Sequence, residues 1–308
     1  MTRLDRVLRS NLKLRHLQLL VALDELRHVG RVAQFLSITQ PAVSKALAEI
    51  ERMYGLQLFE RSTRGTFPTA QGASVVRFAR SVLASHDRTR DEIAAIASGA
   101  AGRTTVGAMV VATPVLLARA VQLLKTRSPR STVLVEEGDP AHLLPELRLG
   151  TIDLFLGRLE PTYAARDLEF EPLYNEPMSA VVRPGHALAA RRSVTWRDLA
   201  QQPIVLPPPH ATLRAKIDRL FVRNGGKEPE DVIETASFLA TLTFVRERAA
   251  VGFMARSVAR HFEQEALLTM LPLRIAAPLP PIGIITARGR AATPTSETLI
   301  DCLRHVSP

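Results

Sequence analysis

Gln40, Ser44 and Lys45 bring an amide, a hydroxyl and an ammonium to one short segment, the donors and acceptors that base edges and phosphates require. They sit in TQPAVSKALAEIERM, where Ala42, Val43, Ala46, Leu47 and Ile50 recur at three- and four-residue spacing and predict an amphipathic helix with its apolar stripe turned inward. Gln40, Ser44, Lys45, Glu49 and Arg52 form the opposite, polar face. Thr39 stands where a helix is capped, and Gln40 and Pro41 fill the first turn, where proline's missing N–H costs nothing. Just upstream, Val32, Ala33 and Leu36 mark a shorter helix, with Ile38 closing the turn between the two. The pair reads as a helix-turn-helix whose second helix would enter a nucleic-acid groove.

Amphipathic helix pairs are common, so the surroundings carry weight. Leu14, Leu17, Leu20 and Val21 predict a preceding helix, which completes a three-helix core. Downstream, the apolar runs Leu56–Phe59 and Phe67–Thr69 flank ERSTRGT, a polar turn with Gly65 and the arginines Arg61 and Arg64, and this reads as a wing. Residues 1–68 hold 11 Lys and Arg against 6 Asp and Glu, a net +5 out of +10 for the whole chain. Positive charge concentrated in that way suits a polyanion.

At 308 residues the chain is expected to divide into domains, and its 46% hydrophobic content is ample for several cores. It contains no run of about 18 apolar residues and no signal-peptide core, so a cytoplasmic protein with no membrane partner is expected. Cys302 is the lone cysteine, with no partner for a disulfide and no CxxC pair for zinc. From Thr69 to Ser98 there is no proline, and one helix of seven or eight turns is expected. Along it Val75, Ala79, Val82, His86, Thr89, Ile93 and Ile96 alternate by four and three residues, the spacing of a coiled-coil seam. With two polar positions among them, packing on its own wing domain competes with pairing to a second subunit. Gly99, Ala100, Ala101 and Gly102 form the expected hinge.

Beyond Arg103, short apolar runs alternate with helical segments, the signature of an α/β sheet. Strands are expected at Thr105–Val111, Thr132–Glu137 and Ile152–Gly157, with helices at Pro114–Arg127 and Pro140–Leu149. A second set has strands at Met178–Val182, Ile204–Leu206 and Val251–Met254 and helices at Thr212–Asn224 and Phe238–Ala249. Ile282–Thr286 and Pro294–His305 return as strand and helix to the first lobe. Two lobes crossed twice by the chain leave a cleft, as in solute-binding proteins. Ligands of open α/β sheets sit at strand carboxyl ends, where helix N-termini present free N–H groups. Thr113, Asp139, the Pro207–Thr212 loop with Pro208 and His210, and Ser237 each resemble a cap at such an end, and Arg158 adds a cation. A small polar or anionic metabolite is the expected effector.

Enzyme chemistry is hard to find. No glycine-rich loop joins a strand to a helix, no GxSxG elbow occurs, and the eight histidines show no HxxxH spacing. His261 and Glu263 would point to different faces of a helix. Trp196 is expected to anchor a short helix by packing. No catalytic, metal or cofactor residue is assigned.

The segments KLRHLQLLVAL, SITQPAVSKALAEIE, YGLQLFERSTRG and PTAQG, in that order and spacing, resemble the winged helix-turn-helix of LysR-type transcriptional regulators. The resemblance implies a multi-domain α/β chain: a winged helix-turn-helix at 1–68, a linker helix and hinge at 69–102, and a two-lobed effector domain at 103–308. Lobe I would take about 103–174 and 280–308, lobe II about 175–279. By matching positions, Gln40, Pro41, Ser44 and Lys45 would face the major groove of double-stranded DNA, and Arg61 and Arg64 would lie near phosphate or the minor groove. It further implies a homodimer or homotetramer on an interrupted palindrome, a small-molecule effector, and contact with RNA polymerase. One departure is His28, where the family commonly caps its helix with serine. VEEGDPAHLLPELRLGTIDLFLGRL is similar to regulators of sugar and of aromatic-acid catabolism, which leaves both effector classes open. The competing expectation is a cytoplasmic small-molecule binding protein or enzyme whose N-terminal helices serve only dimerisation.

Overall fold

The computed structural model describes residues 11–62, 64–98, 102–209, 211–225, 229–276 and 279–308. The expected hinge residues Gly99, Ala100 and Ala101 lie outside the described residues, as does His210. Two compact units emerge: residues 1–103 with 144–152, and residues 104–143 with 153–308.

The first unit opens with α1 (Leu14–Leu26), α2 (Val29–Phe35) and α3 (Gln40–Tyr54). A hairpin of β1 (Phe59–Ser62) and β2 (Gly65–Pro68) follows, and then the long helix α4 (Ala70–Ser98). Leu17, Leu20, Leu23, Val32, Val43, Leu47, Ile50 and Leu58 are buried in one core. Ala42, expected inward, is exposed, because the stripe that packs runs through Val43, Leu47 and Ile50 and leaves the first turn outside. The hairpin strands also reach into the segment expected to be all turn: Glu60 pairs with Phe67 and Arg61 with Thr66. Ladder bonds are made by backbone, so the polar residues of an exposed hairpin pair as well as apolar ones.

Where α4 begins, Gly72 is required by contact. A Cβ there would lie 1.8 Å from the Leu58 carbonyl oxygen, which accepts from the Thr69 N–H at 2.9 Å. Thr69 Oγ1 in turn accepts from the Gly72 N–H at 3.0 Å. Val76 and Ala79 are buried in the three-helix core, with Val75, Val82 and Leu83 packed against it. Farther along, His86, Thr89 and Ile93 are exposed. The seam thus divides: its first half belongs to the helix's own domain, and its second half is uncovered. Arg80 ties α4 to α1 through Glu25 at 2.8 Å and Asp24 at 3.2 Å. Arg88 donates to the Gly150 carbonyl at 2.8 Å.

The second unit contains both lobes. In lobe I, β3 (Arg103–Ala108), β4 (Thr132–Glu137), β5 (Leu154–Arg158), β6 (Leu168–Tyr174) and β12 (Ile282–Ala287) form one sheet in the order β4-β3-β5-β12-β6. Strands β3 and β5 are parallel, and the returning β12 runs antiparallel to β5 and β6. A wide helical turn, Thr113–Leu117, precedes α5 (Ala118–Arg127), and α6 (Pro140–Leu149) follows β4. The strand expected to run to Val111 ends at Ala108, since the chain turns there, with the Ala112 N–H donating to the Met109 carbonyl.

Lobe II comprises β7 (Met178–Val182), α7 (Trp196–Ala200), β8 (Ile204–Leu206), α8 (Thr212–Arg223), β9 (Val232–Glu234) and α9 (Phe238–Glu247). It continues with β10 (Gly252–Ala255), α10 (Arg256–Gln264) and β11 (Thr269–Met270), before α11 (Pro294–Val306) closes lobe I. Its strands pair in the orders β10-β7-β11 and β8-β9. Trp196 is buried edge-on to Phe221, with ring centroids 4.9 Å apart, and stacks on Phe253 at 6.0 Å, so it anchors α7 by packing. Cys302 is buried in α11. Strands β6 and β9 and helix α10 were not foreseen, because acidic and basic residues interrupt their apolar periodicity.

Candidate DNA-reading surface and ligand cleft

Thr39 caps α3 as its sequence position suggests: its hydroxyl accepts from the Ala42 N–H at 3.3 Å. Gln40, Pro41 and Lys45 are exposed along one face of that helix, and Ser44 is half-buried on it. The hairpin brings Arg61 to the same face. Its guanidinium donates to the Ser44 hydroxyl at 3.0 Å, a link across 17 residues of sequence. Arg64 is exposed at the hairpin turn, where its N–H donates to Ser62 Oγ at 3.2 Å. Five of the six predicted side chains therefore share one face, and the sixth sits at the tip of the adjoining hairpin. His28 fills the departing cap position without loss, as its Nδ1 accepts from the Gly30 N–H at 3.1 Å.

The cleft residues fare unevenly. Asp139 accepts from the His142 N–H at 2.9 Å and so caps α6 at the carboxyl end of β4. Ser237 accepts from the Ala240 N–H at 3.3 Å and caps α9 beyond β9. Thr113 is not a cap: it lies inside the wide turn, and its hydroxyl donates to the Met109 carbonyl at 3.2 Å. The wide turn leaves that side chain beside the preceding carbonyl rather than ahead of free N–H groups. In the Pro207–Thr212 loop, Pro208 is half-buried and its carbonyl accepts from the Ala211 N–H at 2.9 Å, while α8 opens without a side-chain cap.

Arg158 is corrected most. It is 6% exposed, and its guanidinium donates to the carbonyls of Glu176 and Pro280, one on each of the two crossings between the lobes. It clamps the hinge instead of waiting as a free cation. Burial lowers the proton affinity of this guanidinium, with Glu176 opposing. Next to it, burial and then the Glu176 carboxylate push the Tyr174 hydroxyl up to about 12. Glu176 also accepts from the Ser257 N–H at 3.0 Å. Sequence reasoning missed Lys216 and Glu160, an ion pair at 2.9 Å that joins α8 of lobe II to the loop after β5 of lobe I. Their side chains are 13% and 16% exposed. Single charges 56 residues apart leave no periodic trace.

A winged helix-turn-helix on one unit and a hinged two-lobed α/β module on the other define a DNA-binding regulator with an effector domain. Residues 14–73 match the family model of bacterial regulatory helix-turn-helix proteins of the lysR family, and residues 97–308 match the LysR substrate binding domain. The chain belongs to the LysR family of transcriptional regulators, and it is not an enzyme. It is 33% identical to the HTH-type transcriptional regulator GbpR of Azospirillum brasilense, over 97% of this chain and 88% of that protein. Similarity to PcaQ of Agrobacterium fabrum (strain C58) is 28% over 97% and 96%. The fold matches the crystal structure of CbnR, a LysR family transcriptional regulator, with a TM-score of 0.70 and 20% identity, covering 96% of this chain and 100% of that one. CbnR in complex with its target DNA matches with a TM-score of 0.69. Among the described residues, no helix is long and apolar enough to cross a membrane.

Proposed function

We propose that this regulator is cytoplasmic, binds a small polar metabolite, a sugar or an organic or aromatic acid, between lobes I and II, and controls a catabolic or metabolic operon in response. Gln40, Pro41, Ser44 and Lys45 read base edges, and Arg61 and Arg64 hold the backbone of an interrupted palindrome. A homodimer or homotetramer supplies the two reading heads, and RNA polymerase receives the output. The observation that carries the effector reading is the build of the lobe junction: Arg158 holds both crossings, and the Lys216–Glu160 pair joins the lobes away from them. Such a junction opens and closes, and a ligand shifts it by binding one state better than the other.

The test is a thermal-shift screen of the full-length protein against sugars, hydroxy acids and aromatic acids, with hits repeated on Thr113→Val and Ser237→Ala. A ligand that raises the melting temperature of the wild type, and does so less for both variants, supports the cleft. Ligands that act equally on all three proteins move the pocket elsewhere.

A further inference from the structure

We propose that His28 and Arg31 form a phosphate clamp on the first helix of the helix-turn-helix, with His28 acting at once as helix cap and as a neutral donor to DNA. The proposal rests on the DNA-reading surface described above and extends it to residues outside the recognition helix. An open groove of about 530 Å³ is lined by His28, Gly30, Arg31, Gln34, Ser37 and Gln40. It therefore runs from the start of α2 to the first residue of α3. Gly30 makes that approach possible, since a Cβ there would lie 3.1 Å from Gln40 Nε2 and 3.1 Å from His28 Cε1.

The cap fixes the chemistry of the imidazole. Nδ1 accepts from the Gly30 N–H, so its lone pair is in use and the ring proton resides on Nε2. Among the described residues no group engages Nε2, and His28 is exposed. A serine cap ends at its hydroxyl; an imidazole caps with one nitrogen and presents the other. Arg31, three residues on, is exposed and makes no ion pair among the described residues, and the six groove residues named above include no carboxylate. A neutral N–H donor, a free guanidinium and the Gln34 amide facing one groove complement a phosphodiester rather than an apolar or basic protein surface. The first helix of a helix-turn-helix crosses the DNA backbone, which is where such a clamp is useful.

Phosphate contacts are indifferent to sequence, so a fluorescent duplex of about three helical turns and mixed sequence serves as probe, titrated with the full-length protein across a salt series. His28→Asn keeps a cap acceptor and drops the ring donor. It is expected to weaken binding about tenfold, with the salt slope and the melting temperature unchanged, since a neutral donor releases no counterion. Arg31→Gln is expected to make the slope shallower by about 0.9. His28→Ala loses the cap as well and lowers the melting temperature, which separates the two roles. Wild-type binding by His28→Asn, with an unchanged slope for Arg31→Gln, overturns the clamp while leaving the DNA-reading surface intact. Variants that bind the duplex normally but fail to retain RNA polymerase assign the groove to a protein and also overturn it. A wild-type protein that binds no duplex overturns both the clamp and the reading beneath it.

Discussion

Replacing Arg158 by methionine tests the hinge directly. The substitution keeps the length and bulk of the side chain but removes the donors that hold Glu176 on one crossing and Pro280 on the other. Each buried carbonyl left without its charged partner costs about 1–3 kcal/mol. Against this, the protein no longer buries a guanidinium, and buried ionic groups are often replaced by apolar ones at little cost. Weighing the two, a net loss of about 2–4 kcal/mol is expected, because here both acceptors stay behind unpaired. Trp196 is the sole tryptophan and is packed in the lobe II core, so its fluorescence during urea unfolding reports that lobe. The expected result is a clear fall in the urea midpoint, with Arg158→Lys falling between variant and wild type because an ammonium lacks the fork that spans two acceptors. An Arg158→Met midpoint equal to the wild type would refute the clamp.

Three further outcomes follow from the same coordinates. Gly72→Ala drives a methyl group into the Leu58 carbonyl and is expected to destabilise the first unit by about 2–4 kcal/mol, read by circular dichroism on melting. His16 and His186 are both buried, and desolvation holds each imidazole below the usual 6.5, opposed by Glu49 for His16 and by a backbone bond to Ala249 for His186. The folded state thus prefers them neutral, so their contribution is present above pH 6.5 and is lost as pH falls through the lower folded values; a lower urea midpoint at pH 5.5 than at pH 7.5 is expected. Ser44→Ala frees Arg61 from its acceptor and is expected to reduce binding to a specific site by about 1–3 kcal/mol, with a smaller loss on mixed-sequence DNA, in anisotropy titrations.

Legibility in the sequence followed locality. Thr39, Asp139 and Ser237 cap the helices they precede because a cap bonds an N–H only a few residues away, and sequence spacing holds that information. The strands Thr132–Glu137, Met178–Val182 and Ile204–Leu206 stand where apolar runs place them. Arg158 misled because its partners lie 18 and 122 residues away, on backbone carbonyls that no side-chain pattern announces. The Lys216–Glu160 pair was invisible for the same reason. Thr113 preceded a proline and looked like a cap, but a wide turn absorbed it. The long helix was legible as a helix, whereas the end of its packing at Leu83 depended on the length of α1 beside it.

The most direct measurement is the binding of the purified protein to the intergenic DNA beside its own gene, against a scrambled duplex, by fluorescence anisotropy across a salt series. The account predicts tight, sequence-selective binding with a steep salt slope, weakened selectively by Gln40→Ala and unselectively by Arg64→Ala. Equal, weak binding to that fragment, to the scrambled duplex and to every fragment of a genome-wide selection would contradict it.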